Sequence, residues 1–251
     1  MSGGPVHPVP AMGSATENVA PRCEVPADML RLRYPMPRVA RRLAEGTTLT
    51  VVALGSSSTA GVGASSPAQT YPARLEAELH ALLPHMSVTV INRGVSGEEA
   101  NDMFRRLERD VIAAEPDLLI WQAGVNAAIK DTPIDQFAEV MSAGIDKVRG
   151  HGIDVMLMGP QNAPRYVNAP HRREYSDNLM LLSRTKDVPI FPRFRIMNHW
   201  QASGQIVAKD AIAADKLHMT DASYYCIAQL LAHVIADAAL NGSAPKTTAA
   251  R

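Results

Sequence analysis

Two stretches of the chain carry side chains able to do chemistry together. Gly55-Ser56-Ser57-Ser58-Thr59-Ala60-Gly61 is small, polar and turn-forming, and it follows directly on an apolar run. A serine hydroxyl is a poor nucleophile until a neighbouring base removes its proton. Imidazole, with an unperturbed pKa of about 6.5, suits that task near neutral pH. Asp215-Lys216-Leu217-His218 sets a carboxylate three residues before a histidine, just ahead of the last helical pattern. Two more turns at strand ends hold a glycine and an amide: Asn92-Arg93-Gly94-Val95-Ser96-Gly97 and Gly124-Val125-Asn126. Singly, each has a plainer reading. Serines in turns bond local backbone, Gly94 turns the chain, Asn126 satisfies a loop, Asp215 is a turn residue and His218 sits near a helix N-terminus. His7, His80, His85, His151, His171, His199 and His233 lack comparable partners in sequence and read as surface or packing residues. No His/Cys/Asp cluster has metal-ligand spacing, and no Gly-x-Gly-x-x-Gly or Walker loop is present, so no metal or cofactor is expected.

The elements that position these groups alternate between strand and helix. Thr48–Leu54 is apolar and rich in β-branched residues, the pattern of a buried strand. Further strands are predicted at 87–92, 117–122, 153–158 and 188–191. Helical periodicity covers about 72–83, 100–114, 134–149, 171–185 and 220–240. Parallel strands joined by helices predict a three-layer α/β/α sandwich around a flavodoxin-like five-stranded parallel sheet. Open sheets of this kind place their sites at the carboxyl edge, where the serine turn lies. Pro192 to Ala214 has no convincing period and reads as a long loop, with Met197, His199, Trp200 and Ile206 packing beneath it or, alternatively, capping a pocket or shaping a substrate groove. Met29 to Leu43 reads as a lead-in segment whose five arginines are solvated. Residues 1–28 are proline-interrupted and predict a disordered tail, 29–241 one domain, and 242–251 a frayed end.

Composition agrees with one well-cored domain: 251 residues, 46% hydrophobic and 20% charged. Lys+Arg and Asp+Glu are both 25, and nothing in this balance points to a nucleic-acid footprint or a polybasic membrane patch. No apolar run approaches the roughly 20 residues of a membrane span. No signal peptide is visible. The compartment stays open: cytoplasmic, or periplasmic or secreted if the N-terminus is processed. Cys23 and Cys226 read as two unrelated thiols, with a disulfide to the last helix as the alternative in an oxidising compartment.

The four turns, in chain order, resemble the motif blocks of the SGNH/GDSL hydrolases. Gly55-Ser56-Ser57-Ser58-Thr59 is similar to the first block, Gly-Asp-Ser-x-Thr, with Ser56 in place of the Asp. Gly94 is similar to the glycine block, Asn126 to the Gly-x-Asn block, and Asp215 and His218 to the Asp-x-x-His block. Val125 and Ala127 depart from the commoner Thr and Asp. The resemblance implies a triad of Ser57 as nucleophile, His218 as base and Asp215 as its orienting partner. It implies an oxyanion hole from the Ser57 and Gly94 N–H groups and the Asn126 amide, with no cofactor. The expected activity is hydrolysis of carboxylic esters through an acyl-enzyme, with O-acetyl esters of carbohydrates as a substrate class. Lipid or thioester substrates are the alternative. A non-catalytic flavodoxin-like binding module is the rival reading, favoured by Ser56.

Overall fold

A computed structural model describes residues 23–238. The expected strands form a single sheet: β1 (Leu49–Gly55), β2 (Val88–Gly94), β3 (Leu118–Gln122), β4 (Asp154–Met158) and β5 (Ile190–Phe191). All pairings are parallel and the order is β2-β1-β3-β4-β5. The chain winds outward from β1 to β2, then crosses β1 to reach β3. The crevice between the carboxyl ends of β1 and β3 is therefore the switch point at which such sheets bind ligands.

Both faces of the sheet are covered, and the period-two alternation shows it. Val51, Ala53, Leu118, Ile120, Met156 and Met158 belong to one buried cluster, with Tyr71, Leu75, Trp200, Tyr224, Ile227 and Leu231 from the helices over them. Val52, Leu54, Leu119, Trp121, Val155 and Leu157 belong to the other, under Leu107, Phe137, Met141, Ile145 and Leu179. Each fully buried Val, Leu or Ile contributes about 1.5–3 kcal/mol, against about 1 or less for an exposed ion pair. These two clusters, not surface charge, hold the sandwich together.

Four expectations are corrected. Pro192 to Ala214 is largely helical, as Arg193–Ser203 and Ala208–Ala211. Arg193, Ile196, Met197 and Trp200 are spaced i, i+3, i+4, i+7 and all are buried. A charge in the first of these positions hides the stripe from a hydrophobicity reading. The helix expected over 100–114 is broken into Ala100–Arg105, Leu107–Asp110 and a short 3-10 turn, with the break at Arg106. The arginine-rich lead-in is not merely solvated. It contains the helix Pro37–Glu45, from which Arg38 and Arg42 each donate Nε to Asp117, at 2.8 and 2.9 Å. Finally, Cys23 and Cys226 are joined as a disulfide across a sequence separation of 203.

Most of the expected N-terminal tail, and all of 242–251, lie outside the described residues. Within 23–28, Cys23 is buried and a helical turn begins at Ala27.

Candidate active site

Strand β1 ends at Gly55, and the chain turns at once into the one-turn helix Ser57–Ala60. Gly55 is required here by space: a Cβ would lie 2.1 Å from Thr59 Oγ1 and 2.8 Å from Gln122 Oε1. The turn is seated by Gln122, the last residue of β3, which is 1% exposed. Its Oε1 accepts from Ser56 N–H at 3.1 Å, Ser56 Oγ at 3.3 Å and Thr59 Oγ1 at 3.2 Å. Ser56 thus does structural work as a hydroxyl, bonding a neutral amide. Ser57 stands at the first helical position, where its N–H has no intrahelical acceptor.

The structure brings Ser57, Asp215 and His218 together from opposite ends of the chain. The segment before the helix Asp221–Ala236 is closed by an antiparallel bridge of Ile212 with Met219 and by Ala213 N–H donating to the His218 carbonyl at 2.8 Å. Inside it, Asp215 Oδ1 accepts the N–H groups of Leu217 and His218, both at 2.9 Å. Asp215 Oδ2 accepts a short hydrogen bond from His218 Nδ1. Burial pushes the Asp215 carboxyl up, but the bonds from the His218 ring and the two backbone N–H groups prevail and lower it to about 2. The carboxylate accepts only, so Nδ1 carries the hydrogen and Nε2 is left as an acceptor. His218 Nε2 lies 2.6 Å from Ser57 Oγ, within reach for proton transfer.

The donors expected for an oxyanion hole are placed unequally. Asn126 Nδ2 donates to the Glu98 carbonyl at 2.8 Å, which uses one of its two hydrogens and fixes the amide beside the glycine turn. The Gly94 N–H already donates to Asn92 Oδ1 at 2.9 Å. A Cβ on Gly94 would sit 2.0 Å from Ala60 N and 2.5 Å from Thr59 C, so this position is glycine to admit the helix Ser57–Ala60. Gly97, in the same turn, has φ +84° and open space at its Cβ position, and among the described residues its N–H has no acceptor.

Arg106 was not anticipated from sequence. Its side chain is 7% exposed; Nε donates to Glu98 Oε2 at 2.8 Å and Nη2 to the Arg93 carbonyl at 2.8 Å, clamping both ends of the glycine turn. Gln122 left a faint mark, as a polar residue closing an otherwise apolar strand. A cavity of about 750 Å³ borders the Asp215–His218 segment at Ala214 and Lys216 and is lined by the amides of Asn162, Asn168 and Gln201 together with Pro164, Val167 and Ile212.

The family model described as Non-GDSL lipase-like matches residues 22–241. The chain belongs to the Non-GDSL lipase-like family. Ser56, standing where a GDSL motif has Asp, fits that description. Among curated relatives, an acetylxylan esterase of Geobacillus stearothermophilus is 38% identical over 56 residues, 22% of this chain and 26% of the relative. An arylesterase of Vibrio mimicus is 30% identical over 98 residues, 39% of this chain and 46% of the relative. The chain thus spans about a quarter to a half of these relatives. Among solved structures, a two-domain esterase active on acetylated mannans superposes with a TM-score of 0.69 at 22% identity, covering 83% of this chain and 55% of the other. A lipase/acylhydrolase from Enterococcus faecalis gives 0.64 at 21% identity, covering 75% and 95%. At these identities the structural likeness establishes that this Non-GDSL lipase-like protein has the SGNH-type fold.

Proposed function

We propose that this protein is a serine carboxylic ester hydrolase. The observation that carries the reading is the 2.6 Å approach of Ser57 Oγ to His218 Nε2, with Asp215 bonded to the far ring nitrogen. Ser57 Oγ attacks the ester carbonyl carbon as His218 Nε2 takes its proton. The resulting oxyanion accepts hydrogen bonds from the Ser57 N–H and the second Asn126 amide hydrogen. Because Asn92 occupies the Gly94 N–H, the third donor in this proposal is the Gly97 N–H of the same turn. His218 returns the proton to the leaving alcohol, and the acyl group stays on Ser57. Water then attacks the acyl-enzyme, giving its proton to His218, and the acid leaves with Ser57 restored.

The substrate class proposed is a short acyl ester of a carbohydrate. The cavity beside Lys216 sets the amides of Asn162, Asn168 and Gln201 among apolar side chains such as Val167 and Ile212, a lining with some hydrogen-bond partners for hydroxyl groups, and the relatives include an acetylxylan esterase. A second reading, longer acyl chains, is favoured by Val62 and Val95, exposed by 39% and 44% in turns that follow β1 and β2. The Cys23–Cys226 disulfide supports an oxidising compartment, periplasmic or extracellular. Among the described residues no helix is long and apolar enough to cross a membrane.

The test is hydrolysis of p-nitrophenyl acetate by the parent and by Ser57→Ala, with fluorophosphonate labelling of Ser57. Activity and labelling lost together in the variant support the reading. Equal rates from both proteins support the non-catalytic module instead.

A further inference from the structure

Arg193 is a fully buried cation to which the mechanism gives no task. It opens the helix Arg193–Ser203, and among the described residues no carboxylate pairs with it. Its Nε donates to the Gly159 carbonyl at 2.9 Å and its Nη2 to Gln161 Oε1 at 2.7 Å, while Nη1 has no partner. An unpaired buried charge disfavours folding, and a methionine would fill the same place in the helical stripe. The guanidinium nevertheless does one thing no apolar residue can do. It offers parallel donors to a backbone and a side-chain acceptor two residues apart in the segment after β4, a fork that lysine lacks.

Its second acceptor leads to the catalytic segment. Gln161 is 1% exposed, and its Nε2 donates to the Leu217 carbonyl at 3.2 Å. The N–H of the same peptide unit, on His218, donates to Asp215 Oδ1 at 2.9 Å. The Leu217–His218 peptide plane is therefore held at both its oxygen and its nitrogen, and it carries the His218 Cα. A glutamine amide has two orientations, and only one presents its NH₂ to Leu217. Arg193, a pure donor, fixes that orientation by claiming Oε1. With the guanidinium gone, a flipped amide would face the Leu217 carbonyl oxygen to oxygen.

We propose that Arg193 and Gln161 are a pair of positioning residues that lock the Leu217–His218 peptide and thereby aim the His218 ring at Ser57. The proposal rests on the reading of Ser57 and His218 as a catalytic pair. Displacements of about 1 Å from such geometry lower rates by about 10²-fold.

Gln161→Glu separates positioning from folding. The new carboxylate still accepts from Arg193, now as an ion pair, but it has no hydrogen for Leu217. With p-nitrophenyl acetate, kcat is expected to fall about tenfold or more while KM stays within about twofold. The thermal midpoint is expected to match or exceed the parent's, and Ser57 labelling by fluorophosphonate to slow in step with kcat. Gln161→Met, neutral and of similar volume, is expected to lower kcat in the same way. A folded Gln161→Glu or Gln161→Met with parental kcat overturns the proposal. Loss of fold in both also overturns it, because the role is then structural. Ser57→Ala is assayed alongside: if that variant keeps full activity, the catalytic reading itself fails. If Ser57→Ala is inactive while Gln161→Glu is unimpaired, only the positioning role fails.

Discussion

The two edges of the sheet both hold carboxylates that accept several hydrogen bonds, Asp117 buried and Asp215 exposed, and use them in opposite ways. At the amino-terminal edge Asp117 accepts from Arg38, Arg42 and the Thr50 N–H, at 2.8, 2.9 and 3.0 Å. Asp154 accepts the Arg38 and Val39 N–H groups at 2.8 and 3.0 Å, capping the helix Pro37–Glu45 from outside, since its own N-cap residue supplies no side-chain bond. This network closes on itself. At the carboxyl edge the chain of bonds runs from Asp215 through His218 to Ser57 and ends at an Oγ that gives its one hydrogen to His218 and keeps unshared lone pairs. The difference teaches that a well-bonded carboxylate alone does not mark a reactive site. A saturated network fastens the helix Pro37–Glu45 to the sheet, and the other leaves the Ser57 oxygen able to take a further partner.

Mutations at the two edges separate these roles. The largest effect is expected from Ser57→Ala, which should lower ester hydrolysis by about 10⁴-fold or more without moving the thermal midpoint. Asn126→Ala should lower kcat by about 10²–10³-fold, the loss of one oxyanion donor, as measured by steady-state kinetics. A smaller loss there would mean that the glycine turn carries the oxyanion. Asp117→Ala, at the other edge, should reverse the pattern: stability in urea falls by roughly 3 kcal/mol, while kcat per folded molecule is unchanged. A drop in kcat would show that the edges are coupled.

The smallest effect is in pH dependence, where the two carboxylates have opposite signs. Burial raises the Asp154 carboxyl from 3.8 to about 6, against the pull of the Val39 and Arg38 N–H bonds. The folded chain then holds that proton more tightly than the unfolded one. Its contribution to stability is fully present below about pH 3.8 and is lost as pH rises through about 6. Asp215, lowered to about 2, contributes above about pH 3.8 and loses that contribution as pH falls through about 2. Asp154→Asn keeps an acceptor for both N–H groups. It is expected to flatten the urea midpoint between about pH 4 and 6 and to leave the acid limb intact. A parental slope in that window would assign the dependence to another group.

Much of this was legible in the sequence because it is local. The five strands fall within about two residues of their expected bounds, since their apolar period is short and turns punctuate them. Ser57 and Asn126 open short helices directly after β1 and β3, and Asp215 and His218 lie just before the last helix, so each stands beside a turn signal that announces itself. What could not be read is what depends on contact at a distance. Arg38 and Arg42 look like solvated charges until Asp117 is seen beneath them. Arg193 looks like a loop residue because buried cations are rare. Gly94 reads in sequence as a turn residue, and only the structure shows that Thr59 and Ala60 crowd it where the register sets Gly55 opposite Gly94. Cys23 and Cys226 carry no spacing that declares a pair.

That pair has a topological consequence. Its bond closes a covalent ring over a separation of 203 residues, and every strand, the serine turn and the imidazole lie inside that ring. A protease that nicks one surface loop within it frees no fragment. The cut chain would still travel as a single species in a denaturing gel, and would part into two only when a reductant opens the ring.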